Sequence, residues 1–246
     1  MTRLIIRTQK NKHDRKTAEF YAADEKKEYH TEFGTIPKKA LQEGGQFVLG
    51  KEEFTILPAT FIDEYARLQR GAQVVQPKDL GMIMASTGLS KDEVVVDIGA
   101  GSGFSSILFA RVAKKVHAYD TDKNAVELVK KNLKALAVKN VDVALGDAYN
   151  AATVKVKDAN LFFLDVPEPW KALETAKHVL KQGAWLVAYT PCITQAMHLV
   201  EALDDSFLHL KTVEVMERKW RVDGPVVRPE SKDFQHTAFL TFIRKV

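Results

Sequence analysis

Four aspartates stand where strand-like runs of this chain end: Asp97 after Val94-Val95-Val96, Asp120 after Lys115–Tyr119, Asp147 after Val141–Leu145, and Asp165 after Phe162-Phe163-Leu164. Carboxylates accept hydrogen bonds and attract cations. A set of them at successive strand ends suits a ligand with hydroxyls, an amino group and positive charge. Any single one could equally be a helix cap or a solvated loop residue, but four in succession are harder to explain that way. Between the first two lies the turn Asp97-Ile98-Gly99-Ala100-Gly101-Ser102-Gly103. Glycines there allow backbone angles that a Cβ forbids and let the main chain approach a ligand closely. Asp120, at the tip of the next strand, is placed to accept both hydroxyl protons of a ribose. The spacing is G-x-G-x-G, not the G-x-G-x-x-G of dinucleotide sites, and Asp97 would repel a pyrophosphate. A cationic or zwitterionic nucleoside fits better.

The elements that must hold these residues alternate. From Val94 onward, strands at 94–98, 115–120, 141–145, 160–165 and 184–189 are separated by helix-like periods, among them 104–116, 170–181 and 193–203. In the helix expected at 122–138, Ala125, Leu128, Val129, Asn132, Leu133 and Leu136 share one face. Repeated βα units require a mostly parallel sheet with right-handed crossovers. Two late strands, 208–220 and 236–244, are joined by a loop containing Pro225 and Pro229 and should pair antiparallel at one edge. Residues 1–58 differ. Short β-type runs punctuated by Gly44-Gly45 and Gly50-Lys51 give a small β-rich N-terminal domain. Residues 59–246 then form a second, larger domain, with linking helices over 59–90.

With 246 residues, 46% of them apolar, the chain can build one large α/β domain and an appendage. No apolar run reaches the length of a membrane span, and the N-terminus lacks a secretory signal. The one cysteine, Cys192, excludes an internal disulfide and a cysteine-cluster metal site, and no metal is expected. These features favour the cytoplasm. The net charge of +4 is only mildly basic. It is unevenly placed, since residues 1–16 hold six basic residues (Arg3, Arg7, Lys10, Lys12, Arg15, Lys16) against Asp14, a net of +5. Such a run is either a solvated face or a phosphate-contacting patch.

The glycine turn with its downstream Asp120 resembles the S-adenosylmethionine site of class I methyltransferases. A second signal narrows the likeness. Asp165-Val166-Pro167-Glu168-Pro169-Trp170 stiffens the backbone after a strand and fixes the direction of Asp165. It resembles the Asp-Leu-Pro-Asp-Pro-Trp motif of the tRNA (adenine-N1)-methyltransferase family, the TrmI type. Arg70, Gln73, Pro77, Lys78 and Asp79 match that family's element ahead of the glycine motif. Arg228-Pro229-Glu230 and His236-Thr237-Ala238-Phe239-Leu240 resemble its C-terminal runs, and Arg218-Lys219-Trp220 its basic-aromatic strand end.

The resemblance implies a Rossmann-like seven-stranded sheet behind a small β-rich N-terminal domain. It implies methylation of N1 of adenosine 58 in the tRNA T-loop, and in some archaeal members also of adenosine 57, by a homotetramer. Asp165 would be the catalytic carboxylate. Gln73, Gly99, Gly101, Ser102, Gly103, Asp120, Asp147 and Ala148 would line the cofactor pocket together with Asp165. The family usually has Tyr, sometimes His, at the base-contacting position held here by Gln76, which offers hydrogen bonds but no aromatic face. Arg218, Trp220 and Arg228 are candidates for RNA contact; basic residues beside an aromatic also serve simply as guards of an edge strand.

Three other readings compete, one of them a different nucleic-acid base as substrate, which Gln76 leaves open. Residues 94–147 also resemble precorrin-type decarboxylating methyltransferases, small-molecule enzymes that lack Asp-x-Pro-x-Pro-Trp and the basic N-terminal domain. A non-catalytic tRNA-binding subunit would have lost the glycines, and Gly99, Gly101 and Gly103 are intact.

Overall fold

A computed structural model describes residues 1–11, 14–71, 73–231 and 236–246, without the side chains of residues 8–17 and 223. Lys12 and the side chains of Lys10, Asp14, Arg15 and Lys16 in the basic N-terminal run, and Ala72, lie outside the described set. The chain divides into two compact units, residues 1–67 with 218–232 and residues 68–217 with 233–246.

The first unit begins with β1 (Arg3–Asn11), β2 (Asp14–Ala22), β3 (Tyr29–Thr31), β4 (Gly34–Ile36), α1 (Lys38–Glu43), β5 (Gly45–Leu49), β6 (Glu52–Pro58) and α2 (Phe61–Ala66). Four strands form an antiparallel sheet in the order β2-β1-β6-β5, and β3 pairs with β4. Ile5, Ile36, Leu41, Phe54 and Ile56 make its core. Arg7 closes one side, donating to Glu52 Oε2 at 2.5 Å with its guanidinium over the Phe33 ring. The linking helix stops early, at Ala66, after a capping box in which Thr60 N donates to Asp63 Oδ2.

The second unit carries α3 (Pro77–Thr87), β7 (Val94–Ile98), α4 (Phe104–Phe109), β8 (Lys115–Asp120), α5 (Lys123–Ala135), β9 (Val141–Leu145), β10 (Ala159–Leu164), α6 (Leu173–Val179), β11 (Leu180–Thr190), α7 (Ile193–Glu201) and β12 (Phe207–Glu214). The hairpin β13 (Trp220–Asp223) and β14 (Val226–Pro229) follows and groups with the first unit, and β15 (Phe239–Lys245) returns to the second. The seven-stranded sheet runs β12-β15-β11-β10-β7-β8-β9. Strands β9, β8, β7, β10 and β11 are parallel, whereas β15 is antiparallel to both β11 and β12. The central strands are buried on both faces, as their near-continuous apolar sequences require. Phe162, Phe163, Leu164 and Val96 are fully buried. Each large side chain of this kind contributes about 1.5–3 kcal/mol of transfer free energy.

Several elements differ from their sequence reading. The expected strand 208–220 ends at Glu214, and Trp220 opens a separate hairpin turned by Gly224-Pro225. That hairpin supplies its own pairing, so it needs no place in the large sheet. The two late strands do pair antiparallel at one edge of the sheet, with β12 outermost and β15 between it and β11. The helix expected from Trp170 shrinks to a 3₁₀ turn at Pro169–Ala172 followed by α6; Leu180 turns extended and starts β11, and Gly183 sits within that strand. Helix α4 stops at Phe109, and residues 110–114 form turns and bends ahead of β8 at Lys115. Among the described residues, no helix is long and apolar enough to cross a membrane.

Candidate active site at the glycine turn

Three of the four aspartates converge. Asp97, near the end of β7, is completely buried. Its Oδ2 accepts hydrogen bonds from the hydroxyls of Ser105, at 2.7 Å, and Ser106, both in the first turn of α4. Its Oδ1 has no partner among the described residues. Burial raises its pKa to about 6; the two serine hydroxyls oppose the rise and the Asp120 charge adds to it. Asp120 is fixed on both oxygens, with Gly101 N donating to Oδ2 at 2.8 Å and Asp122 N to Oδ1 at 2.9 Å. Each oxygen keeps a further lone pair, enough for a pair of hydroxyls.

Asp165 follows β10, its backbone N–H donating to Ile98 O at 3.0 Å. Its carboxylate accepts no hydrogen bond from the described residues. Burial first, then the charges of Asp97 and Asp120, push it up to about 7. The approach depends on Gly99. At φ +81°, a Cβ there would lie 2.1 Å from Asp165 O, so any other residue would drive the two strand ends apart. One glycine of the turn thus serves the carboxylate as much as any ligand.

The segment after Asp165 is held at two points. Gln195 Nε2 donates to Pro167 O at 2.8 Å, and Glu168 N donates to the Tyr149 hydroxyl at 3.1 Å. Tyr149 belongs to the loop after β9, where Asp147 Oδ1 accepts from Tyr149 N at 2.9 Å and Ala148 is buried. Tyr189 at the end of β11 is pushed up to about 12, by burial and then by Asp79 and Asp165, so its phenol stays protonated.

A second buried group lies behind α3. Asp79 is fully buried; Lys78 Nζ donates to its Oδ1 at 2.8 Å, to Val215 O at 2.6 Å and to Thr237 Oγ1 at 2.7 Å. The Thr237 hydroxyl donates in turn to Asp79 Oδ2 at 2.7 Å. The Pro77-Lys78-Asp79 and His236-Thr237 motifs, remote in sequence, therefore meet in one network. Spacing alone gave no sign of that, nor of the roles of Ser105, Ser106 and Tyr189.

Other sequence candidates are less engaged. Gln73 is exposed ahead of α3. Gln76 caps α3 without a side-chain capping bond and turns its Nε2 back to Val74 O at 3.2 Å. Ser102 is buried, and its Oγ accepts from Gly71 N at 2.8 Å, leaving the hydroxyl proton to donate. Gly103 is the αL residue before α4. Arg218, Trp220 and Arg228 are exposed and belong to the first unit. Among the described residues, no cluster of three or more His, Cys, Asp or Glu could hold a metal ion.

The donor set fits a cationic nucleoside. Asp97 offers an orphaned buried oxygen, Asp120 two oriented acceptors and Asp165 an unpaired carboxyl. At Gly101, φ +55°, the place of a Cβ is open, with only Gly99 O at 3.9 Å. An anionic ligand would meet three carboxylates in succession.

A seven-stranded sheet with a lone antiparallel strand beside its edge, and this turn at its carboxyl ends, define the class I methyltransferase fold. The chain belongs to the family described as tRNA methyltransferase complex GCD14 subunit, whose model matches residues 65–225. It is 34% identical over 227 residues to tRNA (adenine(58)-N(1))-methyltransferase TrmI of Thermus thermophilus, covering 88% of each chain. It is 28% identical to tRNA (adenine(57)-N(1)/adenine(58)-N(1))-methyltransferase TrmI of Methanocaldococcus jannaschii, covering 88% of this chain and 87% of that one. Among solved structures, a SAM-dependent O-methyltransferase of Thermotoga maritima superposes with a TM-score of 0.84 at 25% identity, over 99% of this chain and 92% of that one. The tRNA (m1A58) methyltransferase TrmI of Aquifex aeolicus gives 0.80 at 24% identity, over 99% and 96%, a likeness of fold.

Proposed function

We propose that this protein methylates N1 of adenosine 58 in the tRNA T-loop, using S-adenosylmethionine. The observation that carries the reading is the gathering of Asp97, Asp120 and Asp165 round the glycine turn, with Asp165 unpaired at the end of β10. Gly99, Gly101, Ser102, Gly103 and Gln73 would hold the amino-acid end of the cofactor, Asp120 its ribose, and Asp147 with Ala148 its adenine. When bound, the cofactor supplies an electron-poor sulfonium methyl.

N1 of adenine has a free lone pair at neutral pH, so the protein need not remove a proton from it. N1 also lies on the Watson–Crick edge, so the base must leave its stack to reach the pocket. The rigid Asp165-Val166-Pro167 segment, anchored by Gln195 and Tyr149, keeps the carboxylate in one direction and contributes through orientation. Asp165 accepts from the adenine N6 amino group and stabilises positive charge as it develops on the ring. Positive charge entering beside Asp165 lowers its pKa, which keeps it ionised during transfer. Gln76 stands at the mouth of α3 as a hydrogen-bonding contact to the base. Arg218, Trp220 and Arg228 supply phosphate and stacking contacts to tRNA. A homotetramer in the cytoplasm completes the reading.

Labelled S-adenosylmethionine, an unmodified tRNA transcript and a transcript substituted at A58 test it directly. Label should enter only the first transcript and should disappear with Asp165→Ala. No transfer to any tRNA, despite tight cofactor binding, would move a small-molecule substrate to the front.

A further inference from the structure

The buried face of α5 carries a polar residue, Asn132, which is 2% exposed. A buried amide is costly unless every group finds a partner. Asn132 finds its partners in the backbone of two segments far from it in sequence. Its Nδ2 donates to Gln69 O at 2.9 Å and to Ser102 O at 2.8 Å, and its Oδ1 accepts from Gln69 N at 3.2 Å. Next to these bonds, Gly71 N donates to Ser102 Oγ at 2.8 Å. The Arg70 guanidinium lies 5.3 Å from the centre of the Phe104 ring, in the first turn of α4. A Cβ on Gly71 would come within 3.2 Å of the Leu128 side chain of α5, so the strand of chain is pressed close to the helix.

Residues 69–71 are themselves exposed and belong to no helix or strand. Backbone bonds to Asn132 and Ser102 therefore do what side-chain burial does elsewhere. We propose that Asn132 is a positioning residue that straps the segment leading to Gln73 and Gln76 onto the glycine turn, and so shapes the cofactor pocket through that backbone. The inference rests on the reading of the turn as the S-adenosylmethionine site. An amide is suited to the task because it pairs with a peptide N–H and two carbonyls at once. Aspartate at 132 would set a carboxylate against two carbonyl oxygens, and leucine would satisfy none of the three groups.

The test uses the full chain with Asn132→Leu and Asn132→Asp. Calorimetric titration with S-adenosylmethionine, steady-state kinetics with tRNA, and hydrogen exchange on the ligand-free protein are compared with the wild type. Both variants should bind the cofactor about tenfold more weakly, the scale of a small misplacement of a pocket wall. KM for the cofactor should rise in step, with kcat at saturating cofactor and KM for tRNA held to within about a factor of two. Without ligand, the amides of Gln69 and Gly71 should exchange faster, while those of β7 and β10 keep their protection. Wild-type affinity and protected Gln69 and Gly71 amides in a folded variant would overturn the strap. Wild-type protein that fails to bind the cofactor would instead overturn the reading of the site. Should Asn132→Leu not fold, the isosteric Asn132→Asp carries the comparison.

Discussion

Asp165 rests near neutrality in the ligand-free protein because burial, then Asp97 and Asp120, favour its protonated form. A group that titrates near 7 is about half-protonated at pH 7. A cation in its place among the carboxylates favours the charged form, so cofactor binding must release protons. Titrations at pH 7 in buffers of different ionisation enthalpy should show roughly half a proton released per cofactor bound. The release should vanish at pH 8.5 and fall to about a tenth of a proton, from Asp97, in Asp165→Asn. The same group should make kcat/KM for the cofactor fall below about pH 7, by tenfold per unit at the limit, with the profile flat above. Proton uptake on binding would contradict the assignment.

At the scale of elements, the network behind α3 ties a helix start to the C-terminal strand. Lys78→Met leaves Asp79 buried without its cation and should cost about 3–5 kcal/mol, read as a lower urea midpoint. Adding Asp79→Leu should recover most of that loss, because the cost lies in the orphaned charge and not in the missing pair. This element also shows what the sequence could and could not disclose. Strands β7 and β10 were legible because burial on both faces leaves runs such as Leu161–Leu164 with little choice but apolar side chains. Helix α5 was legible from its 3.6-residue period, and Asn132 stood in that stripe as an unexplained polar residue. The hairpin β13–β14 was not legible, since four-residue strands with exposed Val222 and Val227 carry no burial pattern. Asp97, Asp120 and Asp165 were each visible as strand-end acids. Their mutual approach depends on Gly99 meeting Asp165 O, a contact between segments that no local spacing encodes.

For the molecule as a whole, the net charge of +4 is too small to bind a polyanion by itself, so local clusters must do it. Arg228, exposed on β14, is one such charge. Arg228→Ala should weaken tRNA binding and reduce the slope of log K against log salt by about 1, with cofactor affinity unchanged. An unchanged slope would remove this arginine from the interface. The placement of β15 has a consequence for biosynthesis. Translation delivers β11 and β12 well before residues 239–245, yet in the sheet these two strands are joined through β15, which pairs with both. Until that segment clears the ribosome, the nascent chain displays an unpaired β11 edge beside a β12 with nothing to pair to, the kind of surface that invites wrong partners. A chain stopped after Ala238 should therefore collect in the insoluble fraction under conditions where the 246-residue chain stays in solution.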